Sequence, residues 1–406
     1  MHRFLTGCFG GAAGAYIGFR LTQALRARRD PPAPLPRDPA QYGRYRRARM
    51  LIELLLGHAR RHAFVTGGGA AAMRRWLRTG HPAADAALSS AVLIVLGTLI
   101  DLPSDYTGGL LVERRYGLSA QSDAAWLADR AKATGVALAL GPALAALLSL
   151  AQRRFPRGWP YLASAALLPL SLLANVVGPL YLAPLFNRYE PLQGALSDRL
   201  RALARRAGVT EAAIYRVDMS RQTEKANAFV TGLFGARRIV VGDTLLRDFD
   251  DDEILWVVAH ELGHDVRRDV WRSLALALAS GTLVIFAGRA LAARAIARDA
   301  AGELGLHELE EPAAIPLLLH QMALVAGLLG PFVAAISREI EWGADRFARA
   351  ALPGQEGAGV RALERLRERN LAEDEEPRWA ELLFSSHPSL RARIAALRRA
   401  PPSQPR

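Results

Sequence analysis

The sequence predicts a mainly α-helical, polytopic membrane bundle of about six to seven transmembrane helices, with a small β-sheet on a water-facing segment. Three observations predict it. Hydrophobic residues make up 51% of the 406-residue chain and its mean hydropathy is +0.08, high for a water-soluble protein. Uncharged runs close to bilayer-spanning length recur along it. Residues 187–270 then change to a mixed, charged composition with strand-like alternation. Large soluble bundles also bury apolar helices, but uncharged stretches of this length are uncommon in them.

Taken in order, Phe4 to Phe19 is apolar and rich in Gly and Ala. It reads as a first spanning helix rather than a signal peptide, because no small-x-small cleavage site precedes the charged run that follows. Pro31 to Pro36 is an extended linker. Between Arg26 and Arg78 stand thirteen arginines against Asp30, Asp38 and Glu53, a bias suited to an anionic cytoplasmic membrane surface. The window Met50 to Ala72 contains Arg60, Arg61 and His62, which are costly at a bilayer centre, so it is expected to lie at the interface as an amphipathic helix. Ala83 to Leu102, Thr134 to Ala151 and Trp159 to Phe186 are spans, the last one carrying Pro169 and Pro179. His320 and Gln321 interrupt the later span Ile315 to Ser337, as a polar interior or an interhelical hydrogen bond would require.

The mixed segment reads as helix (Leu192 to Ala207), strands (Ala213 to Asp218, Ala226 to Gly232, Arg237 to Gly242) and a second helix. Ser273 to Gly288 and Ile315 to Ser337 then form a membrane hairpin. Helical patterns resume around Ile340 to Ala351 and Gly359 to Asn370 before a Pro-rich tail. Four divisions follow: 1–186, an N-terminal membrane-helix domain with a basic loop; 187–272, a first catalytic block; 273–337, the hairpin; and 338–400, a second catalytic block.

Net charge is +13 and almost wholly arginine, lysine standing only at 132 and 225. No nucleic-acid-binding motif accompanies that charge, so nucleic acid is not an expected partner. Cys8 is the one cysteine, which excludes an intrachain disulfide and a thiolate metal site.

His260-Glu261-Leu262-Gly263-His264 carries the chemistry. On a helix, histidines at i and i+4 share a face, as two zinc ligands must, and the glutamate between them stands where a general base can reach water beside the metal. Asp251 and Asp252 can cap that helix, and Ile254, Leu255, Val257, Val258 and Leu262 bury it. A catalytic zinc needs a third protein ligand. Downstream stand His307, His320 and His387, but Glu341 and Asp345 are the stronger pair, one helical turn apart. Glu341 can ligate zinc while Asp345 holds a ligand histidine by its other ring nitrogen. A solvated acidic face is the plainer reading of that pair when taken without the upstream box.

These residues resemble the type I CAAX prenyl proteases, integral membrane zinc endopeptidases that remove a C-terminal tripeptide from prenylated proteins. The resemblance covers roughly residues 100 to 395. It rests on Val112 to Leu118 with Trp126, Asp129 and Lys132, on Pro184 to Leu192, on Asn227 to Gly232 and Arg238 to Leu246, on the HExxH box, on Ser337 to Asp345 and on Ser386-His387-Pro388. It implies a helical bundle that encloses a water-filled chamber, a zincin-like catalytic domain carrying the small sheet, and a zinc endopeptidase of the HExxH-plus-Glu type. Zinc would be held by His260, His264 and Glu341, with Glu261 as base. Asn227, Ala228 and Phe229 would lie on an edge strand that pairs with substrate backbone, or else be one arm of a hairpin. His387 would stabilise the oxyanion, and Arg393 would buttress the site.

The resemblance also implies seven spans and a site facing the cytoplasm, and the arginine bias, that of a GC-rich genome, points to a bacterial inner membrane. Six spans, with the basic loop inside, would put the catalytic blocks outside. A peptide or membrane-protein substrate and the lipid bilayer are the expected partners, and no residue selects the substrate. Two other classes fit parts of the pattern. A membrane scaffold or chaperone with a structural metal would not need Glu261, and a membrane zinc hydrolase of non-peptide bonds would not need the edge strand.

Overall fold

The computed structural model describes residues 33–232 and 237–399, together with residues 15, 18–20, 22, 23 and 26. The expected first span, Phe4 to Phe19, falls almost wholly outside the described residues.

Helix α1 (Pro39–Thr66) begins where Asp38 accepts a hydrogen bond from the Ala40 amide and Pro39 supplies the preset first-turn backbone. After it come α2 (Gly69–Trp76), α3 (Pro82–Ser104), α4 (Asp123–Arg154) and α5 (Trp159–Val177). Past Pro103, α3 continues through wider π-type turns over Asp105–Leu111 to Arg115. The chain then enters the mixed block: β1 (Tyr189–Pro191), α6 (Ala195–Arg206), β2 (Ala213–Val217), β3 (Ala228–Thr231), β4 (Arg238–Gly242), α7 (Asp243–Asp248) and α8 (Asp251–Val266). Helices α9 (Asp269–Ala297) and α10 (Ile315–Ala351) form the hairpin, and α11 (Glu356–Asn370), α12 (Arg378–Phe384) and α13 (Leu390–Arg399) finish the fold.

Five helices among the described residues are long and apolar enough to cross a membrane: Pro82–Arg115, Asp123–Arg154, Trp159–Leu185, Asp269–Ala297 and Pro312–Ala351. They coincide with five of the six expected spans. Much of their apolar surface is exposed, as lipid-facing surface is: Leu147, Leu173, Leu328 and Phe332 are 57–75% accessible.

Helix α1 is not among these five apolar candidates. It packs along α10, pairs Arg47 with Glu373 at the end near Glu341, and leads into α2, whose Arg74 pairs with Glu311 at 2.5 Å beside the opposite end of α10. At 28 residues it extends about 42 Å, enough to run the full depth of a bilayer. Carboxylates meet two of its arginines at that depth: Arg49 with Glu53 at 2.7 Å and Arg60 with Asp101 at 2.5 Å.

The sheet has strand order β1-β2-β4-β3. β2 and β4 are parallel, pairing Ala213 with Arg238 through Val217 with Gly242, and the outer pairs are antiparallel. β3 is therefore an edge strand. Ile214, Ile239 and Val241 pack with Leu200, Leu203 and Leu245 against α8, whose residues from Glu253 to His260 are all buried. The cap lies one residue before the expected pair: Asp250 accepts from the Glu253 amide at 2.9 Å and Glu253 returns to the Asp250 amide at 3.0 Å. Helix α10 is continuous for 37 residues, so one rigid rod carries both the second hairpin span and Glu341.

Candidate metal centre

Helix α8 sets His260 and His264 with ring centroids 4.9 Å apart. It meets α10 at Gly263, where an added Cβ would stand 3.1 Å from the Ala344 Cα and carbonyl oxygen. That close approach delivers Glu341. Its Oε2 is 3.2 Å from His260 Nε2 and its Oε1 is 3.5 Å from His264 Nε2. One ligand atom from each of the three residues falls within 4.8 Å of the others.

The far ring nitrogens are occupied. His260 Nδ1 is 2.8 Å from Asp345 Oδ1, and His264 Nδ1 is 3.2 Å from Asp269 Oδ2. Both rings are thus held with Nε2 facing the centre, the carboxylate–histidine arrangement of zinc sites. Asp345 is held in turn by Arg393, which donates from Nη2 at 2.6 Å to Oδ1 and from Nε at 2.8 Å to Oδ2. Asp269 was not anticipated from the sequence. Arg268 stands between α8 and α9 in the left-handed region (φ 58°), a sharp reversal that returns Asp269 to His264.

The donor set fits a divalent cation. Glu341 Oε2 is buried without a hydrogen-bond donor, although it faces a histidine nitrogen at 3.2 Å. Burial alone would lower the His260 pKa, but its hydrogen bonds to Asp345 and Glu341 raise it to about 9, so the two carboxylates call for positive charge at this point. Burial and the neighbouring His260 lower the pKa of His264. Burial pushes Glu261 up to about 7, the range in which a carboxylate both takes and returns a proton.

His387 brings Nε2 to 3.3 Å from Glu341 Oε1, with its side chain 63% exposed and its Nδ1 2.9 Å from Ser386 Oγ. The centre opens on a cavity of about 1070 Å³ lined by Asn227, Ala228, His260, Glu261, His387 and Arg393. Phe229 lies on β3 but does not line that cavity, and Asn227 precedes the strand, its carbonyl accepting from the Gly242 amide at 3.0 Å. Arg46, Arg47, Arg49 and Glu53 of α1 form another wall of the same cavity. No sequence motif announced them.

A metal centre seated where a membrane-crossing helix meets a buried catalytic helix puts the chain among the integral membrane metallopeptidases. Residues 191–400 match the model of Peptidase family M48, and residues 37–188 match the one described as CAAX prenyl protease N-terminal, five membrane helices. The chain belongs to peptidase family M48. It is 30% identical over 307 residues to the uncharacterized metalloprotease YhfN of Bacillus subtilis (strain 168), covering 75% of this chain and 71% of that protein. It is 29% identical over 342 residues to a CAAX prenyl protease 1 homolog of Oryza sativa subsp. japonica, covering 79% and 78%. The crystal structure of S. mikatae Ste24p superposes with a TM-score of 0.75 over 98% of both chains at 23% identity, a likeness of fold. The chain is a multi-pass membrane zinc metalloendopeptidase.

Proposed function

We propose that His260, His264 and Glu341 hold the zinc, and that Glu261 is the base and then the acid of peptide hydrolysis. Zinc, when bound, supplies Lewis acidity that activates water and polarises the scissile carbonyl. Glu261 takes the proton of the attacking water at its carboxylate and returns it to the leaving amine. His387, reaching over Glu341 from the cavity side, donates to the developing oxyanion. Asp345 and Asp269 fix the ring orientations of the two histidines, and Arg393 fixes Asp345. The free edge of β3, starting at Ala228, and the preceding Asn227 take up an extended substrate backbone. Phe229 supports that strand from within the sheet.

The observation that carries this reading is the convergence of two Nε2 atoms on Glu341 while both Nδ1 atoms face carboxylates. Zinc content and peptide cleavage of purified Glu261→Gln test it: cleavage is lost and zinc retained, while Glu341→Ala loses zinc. Undiminished cleavage in Glu261→Gln, or undiminished zinc in Glu341→Ala, contradicts it.

We infer a bacterial inner-membrane setting with the site on the cytoplasmic side. Counting α1 and Phe4 to Phe19 with the five apolar helices makes seven crossings. Seven crossings leave the arginines from Arg26 to Arg49 on the same side as the catalytic blocks, as the positive-inside rule asks. The substrates are extended peptide segments presented at the membrane. Comparing membrane proteomes of wild type and Glu261→Gln identifies them, and prenylated and unmodified C-terminal peptides assayed side by side test whether the specificity named in the plant relative extends to this chain.

A further inference from the structure

Six of the nine histidines fall in two clusters, and only one cluster belongs to the catalytic centre. The other lies between α1 and α10. His58 and His62 occupy i and i+4 on α1, the spacing of the HExxH histidines, and the His320 ring of α10 has its centroid 5.9 Å from His58 and 6.0 Å from His62. His320 is 5% exposed, and both its Nδ1 and that of His58 are buried without a hydrogen-bond partner. An imidazole nitrogen left so is costly unless something ligates it.

We propose that His58, His62 and His320 form a second site for a divalent transition metal of the imidazole-preferring class, with zinc as its first probe. In a tetrahedral site with Zn–N of about 2.0–2.1 Å, imidazole centroids stand about 5 Å apart, so the three rings must rotate inward to close on an ion. Arg60 is neutralised by Asp101 at 2.5 Å. The charge of Arg61, which reaches His58, favours an anion or hydroxide as the fourth ligand. Glu341 lies 21 residues further along α10, about 30 Å away, so the two sites are separate. A metal here clips α1, which walls the active-site cavity, to the helix that carries the catalytic carboxylate.

Full-length protein in detergent, stripped with chelator and dialysed against Zn²⁺, is analysed for metal by mass spectrometry. Wild type holds two zinc ions per chain; His260→Ala/His264→Ala holds one; adding His320→Ala to that pair leaves none. His320→Ala alone loses one zinc and keeps the catalytic one, which also reports that it folds. Where that variant does not fold, His62→Gln carries the same expectation. Copper(II) bound to His260→Ala/His264→Ala gives an electron paramagnetic resonance spectrum with coupling to imidazole nitrogens. One zinc in wild type, or a second zinc indifferent to His62 and His320, overturns the proposal.

Discussion

Helices α8 and α1 each carry two histidines four residues apart, and they differ in everything around those residues. On α8 the rings are clamped: each Nδ1 faces a carboxylate, Asp345 is gripped by Arg393, and the helix is sealed into the sheet-backed core. On α1 the helix runs beside a membrane-crossing rod, carboxylates meet Arg49 and Arg60, and the Nδ1 of His58 has no hydrogen-bond partner. Histidine spacing supplies two ligands. In the function proposed above, the surrounding carboxylates orient the rings and the intervening Glu261 moves the proton, which two ligands alone could not do.

The largest effect that sharpens this contrast is Glu261→Gln, expected to lower the peptide-cleavage rate by about 10²–10⁴-fold with zinc content unchanged. His387→Ala should lower kcat by about 10²–10³-fold, again with zinc retained, because it removes an oxyanion donor and no ligand. Asp269→Ala and Asp345→Ala should each weaken zinc by about 10–100-fold, read by competition with a metal indicator. If neither changes zinc affinity, the contrast between clamped and unclamped histidines is broken. Gly263→Ala should be smaller, costing about 1–3 kcal/mol in stability by chemical denaturation, as its methyl presses on the Ala344 backbone of α10.

Legibility follows the same division. The box, Glu341 and Asp345 could be read from sequence because each pair lies within one helical turn. Asp269 could not, since its role depends on the left-handed backbone at Arg268. The five apolar spans were legible from hydropathy alone. The packing of helix α1 along α10 was not legible, because the partners of its arginines, Asp101 and Glu373, stand far along the chain. Strands β2 to β4 showed their alternation, whereas β1 is three residues long and ends in Pro191. The triad with His320 was invisible because its members meet only once α1 lies along α10.

The most direct measurement pairs zinc content with peptide cleavage in purified wild type and Glu261→Gln. The centre described here predicts equal catalytic zinc in both proteins and cleavage only in wild type. Cleavage persisting in Glu261→Gln, or catalytic zinc disappearing with that one change, would contradict it.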